Sequence, residues 1–388
     1  MVNLRIAYIV NHAAFFVSHR LPLATAAKNA GYEVRLFTGQ AGSQSMEKLA
    51  EADLAQREIL HRRAVFRSAS INPLLELLGL IQLVLFLWRY RPLLAHCASP
   101  KGVLYGGMAA RLCGIKGLVL AISGMGYAFT QSGKTSVVRS ILKKLYLLLA
   151  RFVFRHPNLR VIVQNRDDQA ELISNGLVRS DQLVLIPGSG VKLTDFADCS
   201  PHNKQDVVLF PARMLRDKGV YEFSEAAKEL KKLFPQWRFV LAGAADYDNP
   251  SAVSPDELMR WESEGIVEWL GHLDNMRPIY SIAAIVCLPS YREGMPKVLL
   301  EAAAAGCAVV TTDVTGCREA IIPSITGDLV PVRDSRALVT AMQTLITDKD
   351  KRISYGEAGQ QLASDRYSIE SVIAQTLSIY HSLRPIKA

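Results

Sequence analysis

Two glutamates eight positions apart, Glu293 and Glu301, flank a proline, a lysine and the opening of an apolar helical run in YREGMPKVLLEAAAAGCAVV, residues 291–310. A carboxylate accepts two hydrogen bonds at once, which matches the vicinal hydroxyls of a ribose or a hexose. IVCLPS reads as a strand and YREG as a turn, and Pro296 fits the first turn of a helix, where its missing N–H costs nothing. The stretch from Met295 through Pro296 and Lys297 to Val298 then brings the free backbone N–H groups of its non-proline residues to the positive end of a helix dipole, which favours phosphate. Glu293 stays in the turn while Glu301 lies one to two turns inside the helix, so the acids bracket an anion site from its two ends.

A second candidate is LFPARMLRDKGVYEF, residues 209–223. A strand ends near Ala212, and Arg213 and Lys218 follow in the turn before a helix. Guanidinium supplies a fork of donors and ammonium a point charge, which suits a diphosphate as well as it suits a solvated loop. Two glutamates eight apart are a weak signal alone. After a strand, a turn and a proline, and joined to the upstream Arg/Lys turn, they become specific.

These turns need strands to carry them. LRIAYIV, EVRLFTG, LLAHCAS, LVLAIS, RVIVQN and QLVLIPG read as strands in the first half, and DVVLFPAR, RFVLAG, IVEWLG, IVCLPS and AVVTTD in the second. Short β-rich runs alternating with helix-length segments predict an α/β fold of two doubly wound, Rossmann-like domains with parallel sheets. The expected junction is DFADCSPHNKQD, residues 195–206, giving domains 1–195 and 196–366. Carboxyl ends of the strands bind ligands in such sheets, and two of them facing each other would form a cleft.

The residues 213–219 (R-x4-KG) and 293–302 (EG-x-P-x3-LEA) resemble the GT4 family of retaining, nucleotide-sugar-dependent glycosyltransferases, whose fold is the two-domain GT-B. VSHRLPLATAAKNAGYEV (17–34), SPKGVLYGGMAARLCGIKGLVLAISGMGYAF (99–129) and IPGSGVKLTDF (186–196) extend the resemblance over nearly the whole chain, with Ser189 where asparagine is usual. RSASINPL (67–74) draws it toward bacterial enzymes that build lipid-linked glycans. The resemblance implies that Arg213 and Lys218 neutralise the departing diphosphate and that Glu301 holds the ribose. It puts Glu293 at the sugar hydroxyls, the backbone of 295–298 at the phosphate, and LGHL, with Leu270 and His272, beside the base. It also implies that the last helix, 367–388, crosses back to the first domain. On the acceptor side it brings in His19 and Arg20, and Ser123 and Gly124 of ISGMG, with Ser123 where relatives often carry histidine. NHAAFF lacks the glycines that relatives use near the diphosphate; His12 and His19 stand between acceptor contact and local hydrogen bonding.

No residue stands out as a nucleophile, and the family suggests attack from the leaving-group side. No His, Asp or Cys cluster has metal-site spacing, so neither a metal nor another cofactor is expected, the nucleotide sugar being a co-substrate. QSGKT at 131–135 ends like a Walker A loop, but position 128 is alanine where the upstream glycine would stand.

Charge is divided. Residues 1–195 hold 24 Lys and Arg against 11 Asp and Glu, and between Glu76 and Asp167 thirteen cations occur without a single carboxylate. VVRSILKKLYLLLARFVFRH, 137–156, reads as a basic amphipathic helix suited to an anionic membrane surface. LLELLGLIQLVLFLW, 74–88, is interrupted by Glu76 and Gln82 and is expected to be buried or interfacial rather than membrane-spanning. MVNLRIAYIVNH runs directly into a strand-like segment, so a secretion signal is not expected there. Six cysteines without a C-x-x-C pair read as reduced core thiols.

The expectation is a glycosyltransferase, peripheral on the cytoplasmic face of a bacterial inner membrane, moving an N-acetylhexosamine from a UDP-sugar to a polyprenyl-diphosphate-linked acceptor. An epimerase or hydrolase of the same architecture would need acid/base residues converging on the sugar. A nucleic-acid-binding protein would need a helix-turn-helix or aromatic RNA-binding signature. The chain offers neither.

Overall fold

Thirteen short segments form strands among the described residues of the computed structural model, which are 4–41, 44–67, 72–124, 137–246, 249 and 251–384. The chain divides into two compact units. The first runs through Ser189 and resumes at Val372; the second spans Gly190–Ser371. Each is built on a parallel sheet covered by helices.

The first unit contains β1 (Arg5–Val10), β2 (Glu33–Gln40), β3 (Leu60–Arg67), β4 (Leu94–Ala98), β5 (Gly117–Ile122), β6 (Leu159–Val163) and β7 (Leu183–Leu185). They are ordered β3-β2-β1-β4-β5-β6-β7. The central strands β4 and β5 are buried at every position, which is why they read as unbroken apolar runs rather than alternating ones. The second unit contains β8 (Gln205–Phe210), β9 (Arg238–Leu241), β10 (Glu268–Trp269), β11 (Ala283–Leu288), β12 (Ala308–Thr312) and β13 (Gly327–Val330), ordered β10-β9-β8-β11-β12-β13. Sheet order reverses at β1/β4 in one unit and at β8/β11 in the other. Open α/β sheets bind ligands at the carboxyl ends of strands flanking such a switch point.

The unit boundary lies upstream of the polar stretch 195–206. The Val191 N–H donates to Tyr367 O at 2.8 Å and the Ile369 N–H to Val191 O at 3.0 Å, so the chain is already tied to the second unit there. Phe196 and Cys199, within the polar stretch, are buried in that unit's core. Polarity marked a surface connection inside the unit, not its edge.

The helix Ile369–Ser382 ends in the first unit. Tyr380 shares a 2.9 Å hydrogen bond with the Tyr8 hydroxyl and lies 2.7 Å from His96 Nδ1. Burial holds His96 well below the usual imidazole range, so it stays neutral. Arg384 Nη2 donates to the Tyr32 hydroxyl at 2.6 Å.

Asn72 caps the helix Pro73–Tyr90, its side chain accepting from the Leu74 and Leu75 N–H groups, and Arg91 ends it in the left-handed conformation. Leu83, Phe86, Leu87 and Tyr90 pack into the first core, whereas Leu74, Leu77, Leu78, Ile81, Leu85 and Trp88 are exposed. This eighteen-residue helix is long and apolar enough to cross a membrane by length and composition alone, yet one of its faces is committed to the core. The basic stretch 137–156 forms the helix Val137–Phe154, in which Leu148 and Phe152 are exposed and Ala150, Val153 and Phe154 buried. Its cations Arg139, Lys143 and Lys144 lie outside the described side chains, and QSGKT outside the described residues. All six cysteines are free thiols, five of them buried.

Candidate active site

The two turns singled out in the sequence meet at the β8/β11 switch point. After β8 the chain forms a tight turn at Arg216–Lys218, closed by Gly219 at φ 78, and the helix Val220–Leu233 begins. A side chain on Gly219 would stand 2.1 Å from the Pro289 carbonyl oxygen, so glycine lets the two turns touch. Lys218 Nζ donates to Glu293 Oε1 at 2.5 Å, with both side chains largely buried. Ser290, fully buried, donates to the same oxygen at 2.7 Å, and Thr312 Oγ1 holds the Ser290 carbonyl. Burial, with Glu293 nearby, pushes the Cys317 thiol up to about 12, so that side chain stays a neutral wall.

Arg213 leaves the carboxyl end of β8 and pairs with Asp246 at 2.6 Å. Gly243, after β9, is pressed against the Ala212 carbonyl and donates its N–H to Gly271 O at 2.7 Å. Trp269 Nε1 donates to Gly243 O at 3.0 Å. These contacts align the ends of β8, β9 and β10 and set Leu270 and His272 on that edge, both exposed, with His272 3.4 Å from Asp274.

The helix Lys297–Ala304 begins one residue later than expected. Pro296 is its cap residue in an extended conformation rather than part of its first turn, and Leu299 N–H already bonds Pro296 O at 2.9 Å. Met295 is packed in the hydrophobic core and Pro296 is buried. The first-turn N–H groups without an intrahelical acceptor are therefore those of Lys297 and Val298. Glu301 lies a turn inside, 3.2 Å from Lys297 Nζ and mostly covered. Tyr280 supports this turn from below, its hydroxyl donating to Val298 O at 3.0 Å. Burial, with Glu301 close by, raises that phenol well above its usual range.

Sequence reasoning brought Arg213, Lys218, Glu293 and Glu301 to one sheet edge but missed the groups that hold them: Asp246, Ser290, Thr312 and Tyr280. Ser290 was legible only as the end of IVCLPS.

The first-unit candidates differ. Arg20 is buried, its Nη1 donates to His19 O at 3.1 Å, and burial lowers its pKa, so it does not reach outward as expected of an acceptor contact. His19 stacks on Phe15 with centroids 4.6 Å apart, and its Nδ1 lies 2.5 Å from Ser18 Oγ. His12 caps its own helix, Nδ1 accepting from the Phe15 N–H at 3.2 Å. Ser123 and Gly124 follow β5 and are half-buried, Gly124 at φ 119. Among the described residues no group of three or more His, Cys, Asp or Glu is placed to hold a metal ion.

Two family models match. Residues 18–188 match the glycosyl transferase 4-like domain and residues 205–348 match glycosyl transferases group 1. Over 96% of this chain and 96% of the relative, the sequence is 29% identical to the N,N'-diacetylbacillosaminyl-diphospho-undecaprenol alpha-1,3-N-acetylgalactosaminyltransferase of Campylobacter jejuni. It is 25% identical, over 72% of this chain and 73% of the relative, to the Escherichia coli UDP-Gal:alpha-D-GlcNAc-diphosphoundecaprenol alpha-1,3-galactosyltransferase. Among solved structures, Anabaena HepE in complex with UDP and glucose superposes with a TM-score of 0.76 over 98% of this chain and all of that one, at 19% identity.

Proposed function

Because the chain belongs to the glycosyltransferase family that these two models describe, we propose that it moves a sugar from a UDP-sugar onto an undecaprenyl-diphosphate-linked saccharide, with retention at the anomeric carbon. One observation carries the reading: Lys218 and Glu293 meet at the switch point, with Arg213 and the Lys297–Ala304 helix N-terminus on the same strand ends. Lys218, Arg213 and the N–H groups of Lys297 and Val298 stabilise negative charge on the leaving diphosphate. Glu293 fixes the sugar hydroxyls and Glu301 the ribose. The anomeric carbon–phosphate oxygen bond breaks, the acceptor oxygen bonds to carbon on the same face, and its proton passes to the departing diphosphate. No metal takes part. An N-acetylhexosamine is the proposed sugar, in line with the transferase named for Campylobacter jejuni. A panel of UDP-sugars assayed against undecaprenyl-diphosphate-linked sugars tests the reading: acceptor-dependent UDP release supports it, and epimer formation without acceptor sinks it.

Glu301→Ala should raise the donor KM about 10-fold with kcat nearly unchanged, since hydrogen bonds to a charged group contribute on the order of 1.5–3 kcal/mol. A fall in kcat alone would contradict the ribose role.

An acceptor of this class is anchored in a bilayer, and we place the protein on the cytoplasmic leaflet. The exposed face Leu74, Leu77, Leu78, Ile81, Leu85 and Trp88 supports this, as do the acid-free cations between Glu76 and Asp167. Leu77→Ser, Ile81→Ser and Trp88→Ser together should weaken flotation with phosphatidylglycerol vesicles at least ~10-fold. Undiminished flotation would remove this face from the membrane.

A further inference from the structure

Tyr291 sits where three turns of the second unit come together. Its backbone N–H donates to Asp217 O at 3.0 Å, in the turn that carries Lys218. Its hydroxyl donates to Glu222 Oε1 at 2.6 Å, in the first turn of the helix Val220–Leu233. The Arg333 guanidinium, from the turn after β13, lies 4.6 Å from its ring centroid. Glu293 is two residues farther along the same loop.

Two features around this ring are locally unfavourable. Arg333 holds φ at 60°, a left-handed conformation that costs a residue with a side chain on the order of 1–2 kcal/mol. Glu222 Oε2 is buried with no hydrogen-bond partner, although its companion oxygen is engaged. Burial pushes the Tyr291 phenol up to about 12, which keeps it a donor to the carboxylate. A surface turn that needed only to close would require neither the strained arginine nor the half-satisfied carboxylate. Both make sense where the loop must be held in one position.

We propose that Tyr291 is a positioning residue for sugar transfer: Glu222 and Arg333 grip its phenol and ring, and this fixes the loop that presents Glu293 to Lys218. The inference rests on the reading of Glu293 as the sugar-contacting carboxylate. Tyr291 itself touches no substrate. Its effect passes through the backbone of 291–293, so loosening it displaces Glu293 without removing any group that holds the nucleotide. Glu222 is the second half of the device, and its contribution vanishes when the phenol is absent.

The test compares Tyr291→Phe, Glu222→Leu, Glu222→Gln and the Tyr291→Phe/Glu222→Leu pair in the full chain. Transfer is measured with the UDP-sugar that the panel selects, binding with UDP itself, and folding by thermal melting. Tyr291→Phe and Glu222→Leu should each lower kcat about 10-fold, the effect of losing one charge-assisted hydrogen bond, with UDP affinity within about 2-fold of the parent. The pair should be no worse than either single change within about 2-fold, because both break one contact. Glu222→Gln keeps an acceptor oxygen and should retain about half of the parent kcat or more. Unchanged kcat in Tyr291→Phe, or multiplied losses in the pair, overturns the inference. So does a parallel fall in kcat, UDP affinity and melting temperature, which is the mark of simple packing. Normal transfer by Glu293→Ala in the same assay is a different failure, since it removes the role of Glu293 from which this one descends.

Discussion

Alanine at Glu293 is expected to lower transfer about 100-fold or more while leaving UDP affinity within roughly 3-fold of the parent. The asymmetry follows from where the carboxylate stands. Glu293 lies outside the helix, in the loop after β11, and its Oε1 takes hydrogen bonds from both Lys218 and Ser290. The nucleotide is held elsewhere on the proposed arrangement, by Glu301, Arg213 and the strand ends at Leu270. Removing the carboxylate also frees a lysine whose side chain is only 23% exposed, and an ammonium without its counter-ion in that position binds the diphosphate at least as well. UDP affinity should therefore hold or rise. Glu293→Gln separates the two contributions: it keeps a hydrogen-bonding shape but loses the charge that pairs Lys218. Isothermal titration with UDP beside the transfer assay measures both. Transfer and UDP binding that both survive Glu293→Ala would remove this residue from the chemistry, and a joint loss would make it a nucleotide ligand instead.

The parts of the candidate site whose positions could be read in advance are those in which a charged residue follows directly on a strand. Arg and Lys after β8, and Glu on either side of a helix start after β11, combine a strand signal with charge at its carboxyl end. The eleven strand-like segments correspond to strands for the same reason, being apolar runs closed by turn residues. What escaped was set by partners distant in sequence. β3, LHRRAVFR, carries three cations and its burial is irregular because it is an edge strand, so no clean alternation marks it. β13, GDLV, is an edge strand of four residues, too short for any period. Arg20 was expected beside His19 on the acceptor side, and only the fold shows it buried, close to the Tyr8 and Tyr380 phenols. The helix start slipped by one residue because a proline suits both the cap and the first turn; the extended backbone at Pro296 decides between them.

Legibility fails in the same way for the cations. From sequence, Arg213, Lys218 and Lys297 form a positive site awaiting an anion. In the fold each already has a carboxylate, Asp246, Glu293 and Glu301 respectively. On the proposed arrangement a donor diphosphate shares or displaces these carboxylates, whose pairing keeps the cations oriented and weakens the field that would trap stray phosphate.

The second large effect is predicted at a residue with no side chain. Gly219→Ala should lower transfer about 100-fold and weaken UDP binding, with a lower melting temperature, whereas Gly265→Ala should leave activity intact. Both glycines have positive φ, 78° and 67°, so alanine meets a similar left-handed penalty of about 1–2 kcal/mol at each. Their surroundings differ. At Gly265 a new Cβ meets nothing within 4 Å, while at Gly219 it would lie 2.1 Å from the Pro289 oxygen and 2.7 Å from that residue's carbonyl carbon. Neither neighbour is a flexible side-chain end, so the backbone must move. The backbone on one side carries Lys218, and on the other side it leads through Ser290 and Tyr291 to Glu293. Subtracting the Gly265→Ala effect from the Gly219→Ala effect removes the shared conformational penalty and leaves the contribution of the contact between the two turns. If the two variants behave alike, close approach of the β8 and β11 turns is not what assembles the Lys218–Glu293 pair, and the site would have to depend on its side-chain hydrogen bonds alone.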